Sequence, residues 1–112
     1  MAYQFSRIPK KVETLSTEHR IIKTEIPCSG TKDVLDKLDE YESRSMHGQI
    51  PILWDSAKDF NIFDIKGNKF IDFTSAIFFS NIGHSNARVT SAMQDMLNKR
   101  ILGCYAYGNE VR

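Results

Sequence analysis

The sequence predicts an α+β fold made of one β-hairpin or meander, a few short extended stretches and two amphipathic helices. Residues 61–65 and 69–73 alternate in polarity on either side of the turn Lys66-Gly67-Asn68. Two alternating runs around a glycine-containing turn make a hairpin. Val34, Leu35, Leu38 and Tyr41 recur at helical spacing, as do Val89, Ala92, Met93, Met96 and Leu97. Each set gives a helix with one apolar face.

In chain order, residues 1–19 are polar and lack a clear period, with Pro9 followed by Lys10 and Lys11. They are expected to form an arm or extended segment. Residues 20–26 suit a short strand, ended by Pro27, which has no N–H for a ladder. Cys28-Ser29-Gly30 reads as a loop. Thr31 is the expected N-cap of a helix to about Glu42, with Asp33 at the positive end of the dipole. Residues 43–49 form a polar loop. Pro51 demotes the apolar run 50–54 to an edge or extended stretch, and residues 55–59 read as a turn region. After the hairpin, Ile77-Phe78-Phe79 lead into Asn81-Ile82-Gly83-His84. Ser85 or Asn86 caps the second helix, from Ala87 to about Arg100, and Gly103 is its natural stop.

The chain has 112 residues, with 15 Lys and Arg against 14 Asp and Glu, for a net charge of +1. That balance gives no global attraction to nucleic acid or anionic lipid. Six Phe (Phe60, Phe63, Phe70, Phe73, Phe78 and Phe79) crowd into twenty residues, and core packing is expected of them rather than base stacking. No apolar run approaches a membrane span, and the start has no signal-peptide core. Two cysteines, Cys28 and Cys104, make no disulfide framework. They are expected as a loop thiol and a small packed residue in a reducing, cytoplasmic setting.

Self-contained catalytic signatures are missing: no P-loop, GxGxxG, GxSxG, HExxH or CxxC occurs. His19, His47 and His84 lack metal-site spacing, so no metal is expected. Glu40, Glu42, Asp55, Asp59, Asp64 and Asp72 read mostly as solvated surface. The run Ile77-Phe78-Phe79 stands out, because alternation fails near Ser75-Ala76 and little in the chain is available to cover it. Either the chain dimerises or part of its partner surface lies elsewhere.

The segment Asp64-Ile65-Lys66-Gly67-Asn68-Lys69-Phe70-Ile71-Asp72-Phe73 resembles the D-x-x-G-x-x-Y/F-I/L-D-F hairpin of class III aminotransferases. Residues 75–84, ending Asn81-Ile82-Gly83-His84, resemble that family's s-G-I-a-v-x-N-x-G-H segment. Pro51-Ile52-Leu53-Trp54, with Asp55 and Ala57, resembles its lead-in. Three positions depart from the pattern. Ala87 stands where many members have proline, Asp59-Phe60 replaces a glycine, and Ala76 replaces another.

The resemblance implies the N-terminal small-domain segment of a fold-type-I pyridoxal-phosphate transaminase, incomplete as a domain. It divides the chain into an arm, residues 1–45, and the matching segment, 46–112. The phosphate-binding turn and the Schiff-base lysine of the family are not matched by any residue here. The chain alone is therefore expected to be inactive and to bind no cofactor covalently. In the whole enzyme, pyridoxal phosphate acts as electron sink, and an amino group passes from an amine or amino acid to a 2-oxo acid. A homodimer is also implied. Ile77 aligns with a residue lining the substrate pocket, Phe78 neighbours it, and His47 lies near an aromatic pocket position. The alternative for Ile77 and Phe78 is core packing, and for His47 an exposed loop histidine. The competing functional expectation is a non-enzymatic interaction module that keeps the meander and uses its Phe-rich face.

Overall fold

The structure is a computed structural model that describes residues 5–100, together with Tyr107 and Gly108. Gly103, the expected helix stop, and Cys104, the expected packed thiol, lie outside the described residues.

A five-stranded antiparallel sheet organises the fold: β1 (Leu15–Ser16), β2 (Ile21–Ile22), β3 (Trp54–Lys58), β4 (Asn61–Asp64) and β5 (Lys69–Ile71), in the order β1-β2-β5-β4-β3. The expected hairpin is β4–β5, in the register Asn61↔Ile71, Ile62↔Phe70 and Phe63↔Lys69. Simple alternation does not hold along β4, because Asn61, Ile62 and Asp64 are all buried. The strand lies between β3 and β5 and is covered on both faces. The region read as a turn, 55–59, instead forms most of β3, pairing Ala57 with Ile62 and Lys58 with Asn61. The N-terminal stretch reaches the same sheet through β1, β2 and the pair Ile21↔Lys69.

Helix α1 spans Thr31–Tyr41, but Thr31 does not cap it. Gly30 occupies the cap position, and the Thr31 hydroxyl turns inward to Cys28 Sγ at 3.4 Å. Both residues are buried, so Cys28 is a core thiol rather than a loop one. Burial pushes the Cys28 thiol pKa up. Arg7 ties the N-terminal segment to α1 through Asp36 (2.9 Å) and Asp39 (2.7 Å). Helix α2 spans Ala87–Asn98 and is capped as expected by Asn86, whose side chain accepts from the amides of Arg88 and Val89. Its apolar stripe is not packed, and no residue of α2 is buried. No helix among the described residues is long and apolar enough to cross a membrane.

Among the described residues the apolar core consists of Ile22, Cys28, Leu35 and Ile62. The phenylalanines do not form it, contrary to expectation: Phe60, Phe73, Phe78 and Phe79 are exposed, while Phe63 and Phe70 are half-buried. Between β5 and α2 the chain makes one left-handed turn, Ser75–Phe78, with φ of 50°, 51°, 58° and 68° at its four residues. Left-handed backbone costs roughly 1–2 kcal/mol for each L-residue. This turn is where the alternation of the apolar run fails.

Candidate functional site

The site is built upward from the hairpin turn. Asp64 Oδ1 accepts from the amides of Lys66 (2.9 Å) and Asn68 (3.0 Å), and the Gly67 amide donates to the Asp64 carbonyl at 2.9 Å. Gly67 adopts φ 75°, which explains glycine at this place. Asn68 is fully buried and joins the turn to the N-terminal segment. Its amide nitrogen donates to Asp64 Oδ2 and Thr24 Oγ1, both at 2.7 Å. Its carbonyl accepts from the amides of Lys23 (2.7 Å) and Thr24 (3.2 Å). Asp64 is therefore an interior turn residue, not the solvated carboxylate expected, because three donors replace its water.

The braced hairpin delivers Asp72, just beyond β5, to the start of the apolar run. The Asp72 amide donates to the Phe60 carbonyl at 2.8 Å. Its carboxylate is 3% exposed and faces His84, 10% exposed, with Nε2 and Oδ2 at 2.8 Å. Asp72 Oδ1 accepts from the amide (2.9 Å) and hydroxyl (2.8 Å) of Thr74, and Oδ2 also accepts from the Ala76 amide at 2.8 Å. Desolvation raises the Asp72 pKa, but the hydrogen bonds from His84, Thr74 and Ala76 outweigh it and bring it to about 2. An ionised carboxylate only accepts, so His84 Nε2 carries the hydrogen. Asp72 thus departs from the expected solvated surface.

His84 is held from its backbone as well. It exchanges amide bonds with Asp59, at 2.9 and 2.6 Å. Gly83 precedes His84 at φ 89°, a left-handed backbone that glycine adopts without strain. The Trp54 indole packs edge-on to the His84 ring, with centroids 5.6 Å apart. A cleft of about 350 Å³ opens beside the pair, between Asp59, Phe60, Ser80 and Asn81.

Ile77 and Phe78 stand on the left-handed turn at 79% and 80% exposure, so the core-packing alternative does not hold for them among the described residues. His47 follows a 3-10 turn, Arg44–Met46, and is half-buried rather than exposed. It lines a separate small cleft with Arg7 and Asp39, where its Nε2 is buried, makes no hydrogen bond and lies 3.9 Å from Asp39 Oδ1. The structure thus keeps Ile77 with Phe78 but does not bring His47 to them.

The Asp72–His84 cleft does not fit a phosphate-bearing cofactor. Two carboxylates line it, and no lysine or arginine does, so a phosphate would meet uncompensated negative charge. No group of three metal-ligating side chains occurs among the described residues. Sequence reading missed the Asp72–His84 pair. Its signal was present in the family pattern, where the hairpin aspartate and the Gly-His histidine both occur, but nothing in the spacing joined them.

The chain is similar to enzymes of the class III aminotransferases, among them ornithine aminotransferases and a 5-aminovalerate aminotransferase. The chain is 26% identical to the mitochondrial ornithine aminotransferase of Arabidopsis thaliana over 84 residues, 75% of this chain and 18% of that protein. It is 39% identical to 5-aminovalerate aminotransferase DavT of Pseudomonas putida over 59 residues, 52% of this chain and 14% of that one. Against the ornithine aminotransferase of Bacillus cereus (strain Q1) it is 29% identical over 80 residues, 71% of this chain and 20% of that protein. The chain therefore spans a fifth or less of the length of these relatives. No family model matches it.

Proposed function

We propose that this chain is the N-terminal portion of a fold-type-I, pyridoxal-phosphate-dependent transaminase of class III. Residues 1–45 act as its arm and 46–112 as the segment shared with the family. The whole enzyme moves an amino group from an amine or amino acid to a 2-oxo acid, as a cytoplasmic homodimer. Pyridoxal phosphate supplies the electron sink when bound there. This chain contributes apolar wall: Ile77 and Phe78 shape the amino-donor pocket.

The observation that supports this reading best is the structure of the D-x-x-G turn. Asp64, Gly67 and Asn68 act as one hydrogen-bonded unit, so the residues that match the family are those that shape the local fold. A chimera tests the reading. Residues 46–100 replace the matched segment of the Bacillus cereus ornithine aminotransferase, and transamination is followed. Retained activity with altered donor preference is expected. A chimera that folds and binds cofactor but transfers no amino group overturns it.

A further inference from the structure

We propose that Asp72 and His84 act together as positioning residues, clamping the two ends of the apolar turn between them so that Ile77 and Phe78 are presented outward. What the turn faces rests on the transaminase reading above; the clamp itself does not.

Within the turn, the Phe78 amide donates to the Thr74 carbonyl and the Ser80 amide to the Ser75 carbonyl, both at 2.8 Å, but apolar packing adds little. Ile77, Phe78 and Phe79 are mostly exposed, so apolar burial does not fix them. The backbone at Ser75, Ala76, Ile77 and Phe78 is left-handed, a conformation these residues do not adopt by preference. The side-chain hydrogen bonds at the turn converge on one carboxylate. Asp72 gathers the Thr74 amide and hydroxyl, the Ala76 amide and His84 Nε2. An ionised carboxylate has about four acceptor sites, so Asp72 is saturated and has none left for a ligand. That makes it a brace rather than a binding group.

His84 supplies the other end. Its backbone is pinned to Asp59 and its ring to Asp72, twelve residues back. Asp59 is the other carboxylate lining the adjoining cleft, and no cationic side chain there competes for Asp72. Both partners are nearly buried. Removing His84 leaves Asp72 with only its bonds from Thr74 and Ala76, and removing Asp72 leaves the His84 ring without its carboxylate acceptor away from water.

Amide hydrogen exchange on the 112-residue chain tests the clamp. Asp72→Ala and His84→Ala are expected to speed exchange at Phe78 and Ser80 by about tenfold or more, while Ile62 and Phe63 in β4 stay protected. Gln can place a side-chain N–H near the position of imidazole Nε2, so His84→Gln is expected to restore most of the lost protection. The clamp is overturned if turn amides respond no more than β4 amides, or if His84→Gln behaves like His84→Ala. If Asp72→Ala unfolds the whole chain, the two His84 variants decide the matter. Loss of transamination in the chimera would remove the transaminase reading without touching this result, so the two failures are distinguishable.

Discussion

At the residue scale, a few side chains carry most of the specification. The Asn68 side chain makes four hydrogen bonds from a fully buried position and joins segments more than forty residues apart. Asn68→Ala should destabilise the chain by about 3 kcal/mol in urea titration, because two backbone amides and a carboxylate lose a partner without gaining water. Asp72 gives a pH prediction. Its pKa is about 2 in the folded chain against an ordinary 3.8, so the unfolded chain takes up the proton more readily. The stabilisation is present above the ordinary value and is lost as pH falls through about 2. Asp72→Asn should flatten that acid limb in thermal melts taken across pH. The sequence made the glycine of the hairpin turn legible, because a tight turn is a local demand. It did not reveal Asn68 as a buried hub, since its partners Lys23 and Thr24 come from a distant segment.

At the element scale, the elements read correctly were those whose signal is internal to the segment. Helix α2 and its Asn86 cap followed from adjacent residues, and Asn86→Ala should lower its stability by about 1 kcal/mol, seen as reduced helical circular dichroism. Strand β3 was missed because Trp-Asp-Ser-Ala-Lys carries no apolar alternation, and it is a strand by pairing with β4. The left-handed turn was missed for the opposite reason. Local preference argues against it, and long-range hydrogen bonds override that preference. Ala76 sits there at φ 51°, a left-handed conformation that glycine adopts without a steric cost. Ala76→Gly should relieve strain and raise the thermal midpoint, by up to about 1 kcal/mol of stability once the entropy of glycine is subtracted.

At the scale of the whole molecule, the radius of gyration is 17.4 Å, against roughly 13 Å for a compact domain of this length. Only four apolar side chains are buried among the described residues. Phe73, Ile77, Phe78, Phe79 and Ile82 are all exposed within ten residues, an apolar patch of the kind that binds hydrophobic dyes. Anilinonaphthalene sulfonate fluorescence should rise on mixing with the native chain and fall for Phe73→Ser with Phe79→Ser. The crowding of phenylalanine was plain in the sequence, but their exposure was not, because composition does not say which surface a chain leaves uncovered. The contact between Trp54 and His84 has a practical consequence. The chain has one tryptophan, and its ring lies edge-on to the imidazole at 5.6 Å. All indole emission therefore comes from beside the paired histidine. The native chain carries its own optical gauge of whether the two ends of that loop are together, with no label added.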